Sequence, residues 1–159
     1  IIATHSDQAL QMLEEPSAKE KEILGSLPYQ ENEALLHTDE SILPRKKQIW
    51  SSWNYLLNED SKGPVALTYS MNILQSLTVR TQFLVTLNSS EKIDSNKILK
   101  KLIYQHPLFT VEGVRLQKEK HLINGKKNTF YCGAYWGNGF HEDGVVSALD
   151  VCKFFGKAL

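Results

Sequence analysis

The chain has 159 residues, 42% hydrophobic and 23% charged, which is the size and composition of a globular protein with a sizeable core. Its 18 Lys and Arg balance its 18 Asp and Glu, and this zero formal charge argues against a nucleic-acid or anionic-membrane surface as the main partner. No apolar run approaches the roughly 20 residues of a membrane-spanning helix, and the N-terminus lacks a secretory signal pattern.

The first part of the chain alternates between strand-like and helix-like segments. The pattern predicts a strand at 1–4, a helix from Ser6-Asp7 through Leu13, a helix from Pro16 to a closing Gly25, and a strand at 29–39. Because the chain begins without Met and inside an apolar, strand-like run, we expect it to be a fragment of a longer protein.

The middle of the chain is rich in β-prone residues and follows a basic, proline-marked loop at 43–47. Three short aromatic or β-branched segments, separated by polar turns such as 58–64, predict an antiparallel sheet at 49–57, 65–69 and 83–87. A helical turn is predicted at 72–77, and 94–102 stays ambiguous between helix and strand. An amphipathic helix is predicted at 110–123, with Val111, Val114 and Leu116 on its apolar side.

The stretch 129–159 has three parts: an apolar strand, a glycine-rich turn and a helix. Phe130, Tyr131 and Cys132 form the strand, and Val145, Leu149 and Cys152 lie at helical spacing. Acidic residues mark the helix start, where they suit the positive end of the helix dipole. A glycine turn before a helix N-terminus offers free backbone N–H groups and close approach to a ligand. The pattern therefore fits a cofactor site, and it fits equally a tight strand-to-helix connection.

Familiar catalytic and metal-binding motifs are missing from the sequence. The five histidines show no metal-ligand spacing, no serine occupies a nucleophile elbow, and the glycines of GAYWGNG do not have dinucleotide-fingerprint spacing. Cys132 and Cys152 match no metal or redox spacing either. We interpret them as small buried residues, which indicates a reducing, cytoplasmic environment.

Two groups of aromatic residues leave packing and ligand contact open. Trp50, Trp53 and Tyr55 share one predicted strand, where aromatics are usually core, and the alternative is the lining of a site for an apolar or planar ligand. Trp136 lies in the glycine-rich turn, where a large side chain is seldom needed for packing. For Trp136 we therefore weigh ligand contact equally with packing.

Five stretches of the chain resemble FAD-dependent amine-oxidase-like oxidoreductases. In order they are IIATHSDQAL, LLHTD, LPRKKQIWSSWNY, FLVTLN and CGAYWGNGFHEDG, which together span nearly the whole chain. More narrowly, they resemble the bacterial predicted NAD/FAD-binding proteins of that superfamily. They are also similar to the flavin-domain-like region that precedes the methyltransferase of plant cyclopropane fatty acid synthases.

The resemblance implies an α+β / α/β fold, the C-terminal part of a Rossmann-like FAD domain interrupted by an antiparallel-sheet substrate domain. Residues 1–43 would be the middle portion of the FAD domain, 44–124 the substrate domain, and 125–159 the return to the FAD domain. The βαβ unit that holds the dinucleotide would precede this chain. We therefore expect the chain alone to be inactive and to self-associate through an open sheet edge.

The resemblance also implies non-covalently bound FAD and hydride transfer to it from an amine or lipid-linked substrate. The implied cofactor-binding residues are Ala3, Thr4, Gly133, Ala134, Tyr135, Trp136, Gly139, Phe140, His141, Glu142, Asp143 and Gly144. Among them Tyr135, Trp136 and Phe140 would line the flavin or substrate cavity.

One position departs from the wider superfamily. An acidic residue commonly follows the glycine that matches Gly133, and here the residue is Ala134. Any cofactor contact at this step would therefore use backbone groups. No titratable residue stands out as a general base, so no catalytic residue is assigned.

Two further hypotheses stay open beside the oxidoreductase. The chain fits a non-catalytic flavin-fold scaffold or partner-binding module, and it fits an α+β interaction domain whose glycine turn is purely structural. An intact GxGxxG upstream in the parent protein would favour the oxidoreductase, whereas degenerate glycines there would favour the scaffold.

Overall fold

The computed structural model describes residues 1–57 and 65–157, and it divides the chain into two compact units. The first unit combines residues 1–30 with the chain from residue 107 onward, and the second is the continuous segment 31–106. The polar turn predicted at 58–64 lies outside the described residues.

The described residues contain five α-helices and five strands. The helices are α1 (Ser6–Gln11), α2 (Ala18–Leu24), α3 (Met71–Leu74), α4 (Val111–Gln117) and α5 (His141–Lys153). The strands are β1 (Tyr29–His37), β2 (Trp53–Leu56), β3 (Ala66–Ser70), β4 (Leu84–Leu87) and β5 (Ile98–Pro107). The ambiguous segment 94–102 is thus mostly strand, because it enters β5 after a short 3₁₀ turn that begins after Asp94.

The strands form one antiparallel sheet in the order β2-β3-β4-β1-β5. The fold is therefore α+β, one of the two predicted classes, and the antiparallel sheet is confirmed. A Rossmann-like parallel sheet is not supported. Within the described residues, parallel pairing is limited to an isolated bridge between Ile2 and Tyr131, so the strands predicted at 1–4 and 130–132 are reduced to single bridging residues.

The boundaries between the two units lie at residues 30/31 and 106/107, whereas the predicted domain boundaries lie at 43/44 and 124/125. The first boundary differs because β1 pairs with β4, with Ala34 opposite Leu87, and so belongs with the sheet. The second boundary differs because Leu116 of α4 packs in a hydrophobic cluster of the first unit. The identity of these units as FAD and substrate domains stays a prediction.

The core of the first unit lies between the helices α1, α2 and α4 and the segment 131–135. The buried cluster consists of Ala9, Ile23, Leu24, Leu27, Leu116, Ile123, Tyr131 and Tyr135. Helix α2 begins with a capping box, in which Ser17 and Glu20 each accept a hydrogen bond from the other's backbone N–H. The Tyr131 hydroxyl donates to Glu20 at 2.6 Å, so the capping carboxylate also anchors the core tyrosine.

Two predicted apolar helix faces differ from the observed ones. In α4 Val111 is 92% exposed, while Leu116 is buried and the missing side chain of Gly113 leaves room for Leu27. In α5 Val145 is half exposed, and Ser147 and Val151 are buried instead. The hydroxyl of Ser147 can be buried because it forms two hydrogen bonds with backbone groups, which are described below.

The two faces of the sheet differ in character. Trp53 and Tyr55 on the edge strand β2 are 52% and 58% exposed, so neither is a core residue; the ligand-lining alternative stays a prediction. Trp53 contacts the ring of Tyr69 edge to face, with centroids 5.6 Å apart. On the opposite face the side chains of His37, Thr86 and Thr68 are buried.

His37 is held as a neutral imidazole. The Asp39 backbone N–H donates to its Nδ1 at 3.1 Å, which leaves the proton on Nε2, and Nε2 then donates to Thr86 Oγ1 at 2.8 Å. The Thr86 hydroxyl is in turn 2.8 Å from the Thr68 hydroxyl. Burial lowers the pKa of His37, against an opposing effect of the Asp39 carboxylate.

The buried imidazole of His37 predicts that the stability of the 31–106 unit depends on pH. Because the pKa of His37 is lower in the folded than in the unfolded chain, the unfolded chain takes up the proton more readily, and stability decreases as pH falls below about 6.5. Amide hydrogen exchange of β1 and β4 between pH 5 and 8 measures it. A His37→Asn variant should lose the dependence and His106→Gln, at an exposed histidine of the same unit, should keep it. A slope that survives in His37→Asn would contradict the assignment.

None of the helices in residues 1–57 and 65–157 has both the length and the apolar character needed to cross a membrane.

Candidate functional site

The N-terminal residues and the C-terminal glycine turn meet through the isolated parallel bridge. The N–H of Ile2 donates to the Phe130 carbonyl at 2.8 Å, and the N–H of Cys132 donates to the Ile2 carbonyl at 3.1 Å. The next residues are thereby brought together, and a Cβ built on Gly133 would lie 3.2 Å from the Thr4 carbonyl oxygen. Thr4 therefore adjoins Gly133, and Ala3 lies between Thr4 and the bridging residue Ile2. The binding of a cofactor by these residues stays a prediction.

From Gly133 the chain turns into a single 3₁₀ turn, Ala134–Trp136, and then into a tight loop. The N–H groups of Gly137 and Gly139 both donate to the Ala134 carbonyl, at 3.0 and 3.2 Å. Gly139 has φ +86°, in the left-handed region that side chains disfavour. The loop is thus a compact, internally bonded structure.

Asp143 in the first turn of α5 closes this loop. Its Oδ2 accepts hydrogen bonds from the N–H groups of Asn138, at 3.0 Å, and Phe140, at 2.9 Å. Gly137 packs against the same carboxylate, which a side chain at 137 would displace. The Asp143 side chain therefore caps the helix and locks the turn.

Ser147 supports the turn from inside α5, and the sequence did not single it out. Its hydroxyl accepts from the Gly133 N–H at 2.8 Å and donates to the Gly144 carbonyl at 2.9 Å. Gly144 itself faces Ala134, since a Cβ built there would lie 3.8 Å from the Ala134 nitrogen. The apolar face predicted from Val145, Leu149 and Cys152 lies on the opposite side of the helix, so helical periodicity contained no signal for this contact.

Gln117 of α4 supports the turn from the other side, and it too was missed. Its side-chain nitrogen donates to the carbonyls of Tyr135, at 2.7 Å, and Gly137, at 2.8 Å. No local pattern relates residues so distant in the chain, so periodicity and motif spacing could not have identified this contact.

The two turn aromatics pack inward. Tyr135 is 4% exposed and its ring lies 4.8 Å from that of Trp136, whose Nε1 donates to the Tyr131 carbonyl at 3.2 Å. The ring of Tyr135 is thus part of the core and not open to a ligand, so its predicted role in lining a cavity lacks support. Burial raises the pKa of the Tyr135 hydroxyl, for which the described residues provide no hydrogen-bond partner.

The helix start presents exposed side chains and free backbone donors. Phe140, His141 and Glu142 are exposed. Within the described part of the chain, no acceptor meets the N–H groups of Ala134, His141 and Glu142. These donors can bind a phosphate, a carboxylate or a polarised carbonyl, and the first turn of a 13-residue helix adds the positive end of its dipole.

The donor set suits FAD in part. Backbone N–H groups beside small residues match the anionic and carbonyl groups of a flavin dinucleotide. Ala134 supplies no carboxylate, so any cofactor contact at this position would fall to the backbone. The twelve predicted residues lie in the first unit: Ala3 and Thr4 adjoin Gly133, and the turn and helix start follow along the chain.

Two surface cavities of the first unit lie elsewhere. One, of about 440 Å³, is lined by Lys120, His121, Asn124, Asp150, Lys153 and Phe154. The other, of about 370 Å³, is lined by Ser17, Ala18, Lys19, Glu20, Leu122, Ile123, Lys126 and Lys127. Neither contains a predicted site residue. Nowhere in residues 1–57 and 65–157 do three or more His, Cys, Asp or Glu side chains converge as metal ligands would.

No model of a known protein family matches the chain, and no curated protein matches it significantly. The resemblance to FAD-dependent amine-oxidase-like oxidoreductases therefore rests on the sequence stretches quoted above.

Proposed function

We propose that the chain is the C-terminal part of an FAD-dependent, amine-oxidase-like oxidoreductase. The observation that carries the proposal is the meeting of Ala3-Thr4 with Gly133, which the sequence separates by most of its length. The resemblance implies that both of these segments lie near the cofactor.

The chain's own residues would bind and orient the cofactor. The free N–H groups of Ala134, His141 and Glu142 would donate to it. Gly144 would let the backbone approach it, whereas the space beside Gly133 is filled by the ring of Tyr135. Asp143 and Ser147 would hold these donors in place through the hydrogen bonds described above. FAD, when bound, accepts a hydride from the substrate and so supplies the redox chemistry.

In this proposal the 31–106 unit provides the substrate domain. The exposed rings of Trp53 and Tyr55 on one face of its sheet support an apolar or planar substrate, such as an amine with a hydrophobic group or a lipid-linked molecule. The same proposal assigns the protein to the cytoplasm, and its two free thiols support that assignment.

The proposal is tested with the purified chain and with the longer polypeptide that the proposal implies. Each is mixed with excess FAD and passed through gel filtration, and the visible spectrum of the protein peak is recorded. We expect the longer polypeptide to retain a flavin that acid denaturation releases, and the chain alone to retain little. A longer polypeptide that retains no flavin would overturn the proposal. A bound flavin that substrates never reduce would favour the non-catalytic scaffold.

A Gly144→Ala variant of the longer polypeptide separates cofactor binding from folding. The added methyl meets only ordinary contacts at 3.8 and 3.9 Å within the protein. We expect the Kd for FAD to rise about tenfold, a change of about 1.4 kcal/mol, because the methyl obstructs the close approach. Val146→Ala, on an exposed position of the same helix, should leave the Kd unchanged. An unchanged Kd in Gly144→Ala would count against a flavin at this helix start.

A further inference from the structure

Gln117 makes two hydrogen bonds with a single side-chain amide, and both go to the glycine turn. The amide group has two N–H donors, and its nitrogen lies 2.7 Å from the Tyr135 carbonyl and 2.8 Å from the Gly137 carbonyl. These carbonyls lie on either side of Trp136. The side chain thus bridges α4 and the turn at two adjacent points.

Each of the two peptide groups is also held at its N–H end. The peptide that carries the Tyr135 carbonyl has the N–H of Trp136, which donates to the Gly133 carbonyl at 3.2 Å. The peptide that carries the Gly137 carbonyl has the N–H of Asn138, which donates to Asp143. With Gln117 in place, neither peptide plane can flip without breaking hydrogen bonds at both ends.

Gln117 is well placed for this role because the helix beneath it is anchored. The preceding residue, Leu116, is 2% exposed in the core, and Gly113 lies against Leu27. At the turn, the buried ring of Tyr135 fixes the other partner. Glycine allows a wide range of backbone conformations, so the peptide group that carries the Gly137 carbonyl depends most on the hydrogen bond from Gln117.

We propose that Gln117 is a positioning residue that preorganises the glycine turn for ligand binding. Gln117 donates hydrogen bonds to two carbonyls of the turn. Asp143 and Ser147 accept hydrogen bonds from N–H groups of the turn. Together the three side chains direct the carbonyls toward α4 and leave the N–H groups of Ala134 and the helix start free. A loop held in its binding conformation avoids the entropy cost of ordering on association. The identity of the ligand as FAD rests on the function proposed above.

The test compares Gln117→Leu, which keeps the side-chain size without the donors, and Gln117→Glu, which presents acceptors to both carbonyls. Gln11→Leu, at an exposed glutamine of α1, is the matched control. Amide hydrogen exchange of residues 136–139 reports on the turn in the free protein, and FAD titration of the longer polypeptide reports on binding. The free energy of unfolding is measured for every variant.

We expect both Gln117 variants to exchange the 136–139 amides at least about tenfold faster and to raise the Kd for FAD about tenfold, with Gln117→Glu more affected. Gln11→Leu should change neither quantity. Unchanged exchange in both Gln117 variants would overturn the inference. Faster exchange with an unchanged Kd would overturn the positioning role and leave a structural one. If the wild-type polypeptide retains no FAD, the proposed function fails and the role of Gln117 toward FAD fails with it. The exchange data then decide separately whether Gln117 restrains the turn.

Discussion

Replacing Gly133 by alanine is expected to destabilise the unit of residues 1–30 and 107–159 by about 3 kcal/mol, at the upper end of the cost of overpacking. A Cβ at this position would lie 2.5 Å from Cε1 of Tyr135 and 3.2 Å from the Thr4 carbonyl oxygen. Neither neighbour can give way cheaply, because the ring is in the core and the oxygen belongs to the backbone. Urea unfolding combined with amide hydrogen exchange of α1 and α2 measures the change for this unit.

The matched control is Gly144→Ala, which places the same methyl in the same turn-helix segment. Its nearest neighbours would be 3.8 and 3.9 Å away, and alanine has the higher helix propensity, so we expect stability to stay the same or rise by up to about 1 kcal/mol. If Gly133→Ala is as stable as Gly144→Ala, the result would contradict the close contact between Gly133 and the ring of Tyr135.

The Asp39→Asn substitution is expected to destabilise the 31–106 unit by about 3 kcal/mol, since it removes charge-assisted hydrogen bonds from a buried acceptor. The carboxylate of Asp39 is 2% exposed. It accepts from the Asp94 N–H at 2.9 Å, the Lys97 ammonium at 3.0 Å and the Ser41 N–H at 3.2 Å. An asparagine would present its own donor to at least one of these donors.

The same carboxylate predicts a loss of stability in acid. Burial alone would raise the pKa of Asp39, but the hydrogen bonds from Asp94, Lys97 and Ser41 together hold it well below its usual range. Because the folded pKa is lowered, its contribution is complete above the unfolded value and is lost as pH falls below about 4. Asp39→Asn should abolish this component.

The control for Asp39 is Glu40→Gln, which breaks the ion pair of the next residue with Lys47. That pair spans 2.9 Å, but its side chains are 41% and 69% exposed, so we expect a change of less than about 0.5 kcal/mol. Both variants are followed by hydrogen exchange of β1 and β4. Equal effects of the two substitutions would show that burial does not strengthen the Asp39 interactions.

Local patterns predicted much of the secondary structure. The capping residues Ser17 and Gly25 mark the two ends of α2, since a helix end is determined by hydrogen bonds between near neighbours. The short β-prone segments predicted β2, β3 and β4 within a few residues. For the same reason the acidic start of α5 was recognisable, and Asp143 does cap the turn.

Other predictions were wrong or incomplete because they depend on partners far along the chain. The parallel sheet is not supported, and β1 belongs with β4 through a pairing that its own residues do not specify. An aromatic residue in a glycine-rich turn, such as Tyr135, is typical of a ligand-binding site. In the structure, however, the ring of Tyr135 is buried in the core of the first unit. Aromatic type alone does not determine which way a ring points.

The sequence by itself determined most of the local elements and the glycine turn that leads into a helix, and it left the choice between the α+β and α/β classes open. These depend on backbone preferences and on side chains within a few residues of one another. Only the tertiary structure decided that Ala3-Thr4 adjoins Gly133, that Ser147 holds the first peptide of the turn, and that Gln117 holds its carbonyls. Such contacts join segments whose separation in the chain carries no periodic signal, so they exist only once the core has packed.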